Sequence, residues 1–272
     1  MFYCGPLPAL RQGFLCSPQG WRDRRAAGYK RPMPPRRPPK PPSPLTVAGL
    51  PLPLELRESA RARRMTLRVD AGRGLVQVVI PVGVSEAEVR RFVTRHGDWV
   101  LGRMAALPPA LPFTPGAVVP VLGVDHEIRH IPDLVGGTRR DDGVIRVGGR
   151  AEHVPRRVLD YLTGEARREL AVRARAKAAL LGARVAAVTV RDTRSRWGSC
   201  SATGRLSFSW RLILTPDAVL DYVVAHEVAH LKEMNHSARF WAVCARLTAE
   251  VEAPRAWLKA NGARLLRYGA KP

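Results

Sequence analysis

Residues 225–241, AHEVAHLKEMNHSARFW, constrain this chain more than any other stretch. They hold three of its seven histidines, His226, His230 and His236, with Glu227 directly after the first. On a helix, His226 and His230 leave the same face one turn apart, so two ring nitrogens can reach one small cation at about 2.0–2.1 Å each. Glu227 lies about 100° around that helix from His226. It is off the ligand face but placed to hold a water beside a metal, where a general base belongs. His236 follows His230 by six residues, too far around a continuing helix to join the pair. The spacing therefore predicts that the helix stops near Met234 and the chain turns back, with Asn235 supplying the left-handed turn residue. Three neutral imidazoles with a fourth position open make a catalytic zinc arrangement, whereas structural zinc is usually closed by four protein ligands. The competing reading is three satisfied histidines on an amphipathic helix, and the combined offsets favour the metal.

With 272 residues and 46% hydrophobic content, the chain has room for one sizeable domain or two small ones, without disulfide staples. Its formal charge of +22, from 45 Lys plus Arg against 23 Asp plus Glu, raises nucleic acid as an anionic partner. The excess is mostly arginine spread along the chain, and a coding bias toward arginine explains that equally. Cys4, Cys16, Cys200 and Cys244 show no paired spacing, which points to a reducing compartment and a cytoplasmic location. No apolar run approaches the roughly 18 residues of a membrane helix. The start is broken by Gly5, Pro6 and Pro8 and makes a poor signal peptide, so no membrane partner is expected.

Three regions follow from the pattern, and the expected class is α+β. Residues 1–46 read as a disordered basic tail, because the proline-rich run at 31–44 can form neither helix nor sheet ladders. Residues 47–150 read as a β-rich subdomain with one helix. Period-two alternation from Leu52 to Asp70 and again from Leu75 predicts a hairpin turning at residues 70–74. Ser85 then caps a helix with Glu86 and Glu88 in its first turn, and Val89, Phe92, Val93, His96, Trp99 and Val100 are its expected core contacts. A second β-stretch turns at Gly123 and at Gly136–Gly137. It holds His126 and His130, which on a strand stand roughly 13 Å apart and cannot chelate one ion, so they read as surface residues. Residues 151–272 begin with a helix from about Val154 to Leu181, ended by Gly182. Two strands through Val188–Val190 and Leu206–Trp210 come next, joined around Gly198 and Gly204. Thr215 then caps the helix of His226 and His230 with Pro216 in its first position. Ser237 caps another helix, and a last one runs from Pro254 to about Tyr268.

Several segments taken together resemble the YgjP-like metallopeptidase family of zincin-type proteins. They are Arg196-Trp197-Gly198-Ser199-Cys200, Trp210-Arg211-Leu212 with Pro216, and Tyr222-Val223-Val224-Ala225-His226-Glu227. His230-Leu231, Asn235-His236 and Phe240-Trp241 complete the match, which extends more weakly back to about residue 52. The resemblance implies a zincin-like fold with His226, His230 and His236 as Zn2+ ligands and Glu227 as catalytic acid/base. The histidine offsets also match the metzincins, but Glu233 stands where those enzymes carry glycine. The family is similar as well to the SprT and Wss-type proteases that act on DNA-crosslinked proteins, and a UTP pyrophosphatase activity has been attributed to one bacterial member.

The leading expectation is a zinc-dependent metallopeptidase that cleaves a peptide or protein substrate with a zinc-activated water and Glu227. The alternatives are a metal-dependent nucleoside triphosphate (UTP) pyrophosphatase and a nucleic-acid-associated protease or binding protein. A phosphate-cradling Gly-x-x-x-x-Gly-Lys loop is missing, which weighs against the nucleotide reading. The strand from about Leu206 to Leu212 is the expected edge for a substrate peptide. Arg194, Arg196 and the backbone at Gly198 are neighbours in sequence that could serve an oxyanion, and Arg196 and Trp197 have an equally good structural reading. Cys200 reads as a small buried thiol rather than a nucleophile.

Overall fold

The computed structural model describes residues 54–270, and the expected tail, with Cys4 and Cys16, lies outside them. Among the described residues the architecture is mixed α+β, with six α-helices and three small sheets. They form two compact units, one of residues 54–68 with Leu75–Leu101, the other of Val69–Gly74 with the chain from Gly102 onward.

In the smaller unit, β1 (Leu54–Glu58) runs parallel to β3 (Leu75–Ile80), with Leu54 opposite Val76. The sheet order is β1-β3-β2, where β2 is Thr66–Asp70. The simple hairpin expected here has its first strand cut in two. The Ala62 N–H donates to the Ser59 carbonyl at 3.0 Å, and the chain between β1 and β2 turns there. One strand of about 17 residues would outrun the 3–10 that sheets usually hold. The core-bearing strand is β3, with Val76 and Val78 fully buried, and flanking it on both sides covers more of its backbone. The turn into β3 is the expected one: Asp70 Oδ1 accepts from the Arg73 N–H at 3.1 Å, and Gly74 takes φ +63°. Helix α1 (Glu86–Arg95) opens on a capping box, the Glu88 N–H donating to Ser85 Oγ at 3.3 Å and the Ser85 N–H to Glu88 Oε2 at 2.9 Å. It buries Val89 and Val93, stops at His96, and a separate α2 (Gly97–Ala105) follows. That break takes His96 and Trp99 off the apolar stripe. Both are exposed, contrary to expectation, and the His96 ring packs edge-on against Phe92 at 4.8 Å.

The larger unit holds a four-stranded sheet in the order β4-β5-β7-β6, comprising β4 (Val118–Val121), β5 (Val124–His130), β6 (Thr138–Asp141) and β7 (Val144–Val147). Leu122 and Gly123 turn β4 into β5 with φ of 52° and 84°, the mirror-image turn that suits strand twist. Leucine tolerates that conformation badly, and its N–H is held by the Ile213 carbonyl at 2.8 Å. The hairpin β6–β7, turning at Asp142–Gly143, has no apolar alternation in its first strand and is not legible from periodicity.

Helix α3 (Val154–Leu180) buries Val154, Val158, Leu162, Ala166, Leu170, Ala174 and Ala178, an unbroken four-residue stripe. Gly182 ends it at φ +57°. A three-stranded sheet follows in the order β8-β10-β9, from β8 (Ala187–Arg191), β9 (Gly198–Cys200) and β10 (Arg205–Ser209). β10 pairs parallel to β8 and antiparallel to β9. The expected edge strand is thus the middle one, and β9, read in sequence as part of a turn, is an edge. Trp210 leaves the strand for a buried 3-10 turn, Trp210–Leu214. Thr215 does not cap the helix that follows, because its hydroxyl donates back to the Leu212 carbonyl at 2.8 Å. Pro216 occupies the cap position of α4 (Asp217–Ala229), and α5 (Ala238–Leu247) and α6 (Glu252–Leu265) complete the unit. No helix among the described residues is long and apolar enough to cross a membrane.

Candidate metal centre

Helix α4 is buried from Tyr222 through Ala229. A helix enclosed on all sides is normally apolar throughout, and a polar group inside it needs a partner. His226 and Glu227, 1% and 2% exposed, are the two side chains in that stretch that can carry a charge near neutral pH. His230 is the residue on which the helix ends, at φ −64° and ψ −16°. The stop therefore comes four residues before the expected Met234. The N–H groups of Leu231 and Lys232 donate to the carbonyls of Val228 and Ala229, each at 3.0 Å, and tighten the last turn. Asn235 does not take the left-handed conformation. Its carbonyl accepts from the Ser237 N–H at 2.8 Å, and Ser237 Oγ accepts from the Phe240 N–H to open α5, as its position before Ala238 predicts.

This reversal brings His236 back onto the pair. The ligand-capable atoms of His226, His230 and His236 all lie within 4.8 Å of one another, and the Nε2 atoms of His226 and His236 are 3.0 Å apart. Nitrogens sharing one tetrahedral cation at about 2.0–2.1 Å stand about 3.3–3.4 Å apart, so the cluster fits a metal with little adjustment. His230 Nδ1 faces the Glu233 carbonyl at 3.0 Å. A carbonyl only accepts, so Nδ1 carries the hydrogen and Nε2 is left as the ring's lone-pair donor. His226 Nδ1 is buried without a hydrogen-bond partner among the described residues.

Electrostatics favours the same use. Burial holds His226 down to about 3, helped by His230, His236 and Arg255. Burial also lowers His230, against the pull of the Glu233 hydrogen bond, and lowers His236 together with His230. All three rings are therefore neutral at pH 7, and a cation displaces no proton from them. Burial pushes Glu227 up to about 8, opposed by the charge of Arg196. A carboxyl poised near neutrality can both take and give a proton.

Three further residues shape the site. Phe240, one turn beyond His236, lies 4.6–4.9 Å from each of the three imidazoles by ring centroid and forms an apolar wall behind them. Trp241 stands 5.9 Å from His226 and carries Arg255 over its ring at 5.4 Å. Gly198 on β9 passes so close to Glu227 that a Cβ there would fall 2.5 Å from both its Cγ and its Oε1. In sequence Gly198 reads as a turn residue and a possible backbone donor to an oxyanion, with no link to Glu227, and Phe240 enters the family match with no place in the site. The four-residue step from His236 to Phe240 was the available signal for the second, and nothing local signals the first. Cys200, two residues along β9, is half-buried, and burial and then Glu227 push its thiol up to about 11, which makes it a poor nucleophile. His126 and His130 take no part. His126 is buried rather than on the surface as expected, because its Nδ1 finds the Val124 carbonyl at 2.7 Å and needs no water.

Neither a curated protein nor a solved structure matches this chain. The model of a family described as YgjP-like, metallopeptidase domain, matches residues 63–261, which include every residue of the centre. That family implies a divalent metal and a hydrolase, and the histidine cluster can hold such an ion. The chain belongs to the YgjP-like metallopeptidase family.

Proposed function

We propose that this protein is a zinc-dependent metallopeptidase in which His226, His230 and His236 hold Zn2+ and Glu227 is the general acid/base. The observation that carries the reading is three neutral imidazoles converging within 4.8 Å, with a buried carboxyl on the next residue of the same helix. An all-nitrogen set of three suits zinc better than the oxygen-seeking Mg2+ or Ca2+. Bound there, zinc supplies Lewis acidity, which lowers the pKa of water toward about 7 and polarises a carbonyl. Glu227 takes a proton from the attacking water as its oxygen bonds to the carbonyl carbon and the π pair moves onto the carbonyl oxygen. It returns that proton to the amide nitrogen as the pair re-forms the C=O and the C–N bond breaks toward nitrogen. The products are a carboxylic acid and an amine. Edge strand β9, beside Glu227, offers its outer backbone to an extended peptide.

Glu227→Gln is expected to keep zinc and lose casein hydrolysis by about 10²-fold or more. Full turnover in that variant removes Glu227 from the chemistry, and gently isolated protein without zinc removes the metal. A second reading keeps the centre and takes a nucleoside triphosphate such as UTP. Arg255 and Arg196, whose charges reach His226 and Glu227, favour it. Turnover of UTP and not of casein by the zinc-loaded protein decides for that reading.

A further inference from the structure

We propose that Arg196 is the side chain that holds the oxyanion formed in the hydrolysis described above, an inference that rests on that reading. Of the arginines around β9, Arg194 and Arg211 are committed elsewhere. Arg194 Nη1 bonds to Asp70 Oδ2 at 2.6 Å. The buried Arg211 donates to Asp192 and lies over the Trp210 ring at 4.6 Å. Those pairs hold the segment before β9 at Asp192 and at Arg194. Thr193 Oγ1 donates to the Arg196 carbonyl at 2.8 Å, and the carbonyl of the buried Trp197 accepts from the Ser209 N–H at 2.8 Å. The backbone of Arg196 is thus fixed from both sides while its side chain stays exposed.

Its reach follows from its neighbours. The chain bends at Trp197, which goes into the core, and enters β9 at Gly198, whose Cβ direction points at the Glu227 carboxyl. Arg196 stands two residues, at most about 7 Å of chain, before Gly198, a distance an arginine side chain can span. The Arg196 charge acts on Glu227, yet among the described residues Arg196 makes no ion pair. A guanidinium on an anchored backbone, beside the acid/base and at the head of the edge strand, can meet charge where it develops with little reorganisation.

The test uses the full chain loaded with zinc, as wild type, Arg196→Ala and Arg196→Lys. Casein hydrolysis in Arg196→Ala is expected to lose about 10²–10³ in kcat, with KM within about threefold and zinc content unchanged. Added guanidinium chloride at millimolar concentration should restore part of the loss. Arg196→Lys should lose about tenfold, and it carries the test if the alanine variant does not fold. A phosphonamidate dipeptide, a tetrahedral anion, is titrated in parallel by calorimetry. Its binding should weaken by about the same 10²–10³ factor in Arg196→Ala, while acetohydroxamic acid, uncharged in solution at pH 7, binds as before. Unchanged kcat, a change in KM alone, or equal phosphonamidate binding by wild type and variant overturns the assignment. Wild type that binds the phosphonamidate but leaves casein intact overturns the peptidase reading instead, and the variant's weaker binding still supports Arg196.

Discussion

The chain carries two pairs of histidines four residues apart, His126 with His130 on β5 and His226 with His230 at the end of α4. On a strand, four residues advance roughly 13 Å, and each ring must find its own partner. His126 Nδ1 meets the Val124 carbonyl at 2.7 Å, and His130 Nε2 meets the Gly149 carbonyl at 2.5 Å. On a helix the same four residues advance about 6 Å. The rings of His226 and His230 come within 5.1 Å of each other, and the chain reversal adds His236 at 4.8 Å from His230. Equal spacing in sequence thus gives two satisfied structural histidines in one place and a cluster that can hold a metal ion in the other. The period of the backbone decides which.

The comparison is broken most directly by alanine at one member of each pair. His226→Ala removes one of three proposed ligands. Structural zinc sites bind with roughly 10–16 kcal/mol over four ligands, so one ligand is worth about 3 kcal/mol, or about two orders of magnitude in metal affinity. Zinc content by atomic spectroscopy should collapse in His226→Ala and stay at the wild-type level in His126→Ala. Equal zinc in both variants would show that the helical pair is no more a ligand set than the strand pair.

A smaller effect is expected at Gly198, which touches no proposed ligand. A methyl group there would collide with the Glu227 carboxyl at 2.5 Å, and Glu227, 2% exposed, has little room to withdraw. Displacing a catalytic group by about an ångström costs on the order of 10²-fold in rate. Gly198→Ala should lose about that much kcat on casein while retaining zinc, which separates damage to the acid/base from damage to the metal site.

Gly198 also marks how far the sequence could be read. The long α3 and the starts of α1 and α5 were legible because their signals are local: an apolar residue every fourth position, and Ser85 and Ser237 at their caps. The convergence of His236 was legible as a requirement, since no other conformation joins it to His226 and His230. The means were not. The helix ends on His230, where the ring's hydrogen bond to Glu233 and the tightened last turn set the reversal, so Asn235 needs no special conformation. The place of β10 between β8 and β9 was also hidden, because alternation along a strand says which residues share a face and nothing about which strands lie on either side. Gly198 and Arg196 gain their meaning only from Glu227, which lies far along the chain.

The least disruptive change sharpens the comparison from the strand side. His130 is half-buried and bonds through Nε2 to the Gly149 carbonyl, whose residue sits at φ +80° in the turn leading to α3. A single hydrogen bond of this kind is worth about 1 kcal/mol net. His130→Ala should therefore lower stability in urea by about that amount, with zinc content and casein turnover as in wild type. A strand histidine whose loss costs stability alone, set beside a helical one whose loss costs metal, would show that the two pairs differ in the job the backbone gives them. If His130→Ala instead released zinc, the sheet β4-β5-β7-β6 would be coupled to the cluster, and the separation drawn from backbone period alone would fail.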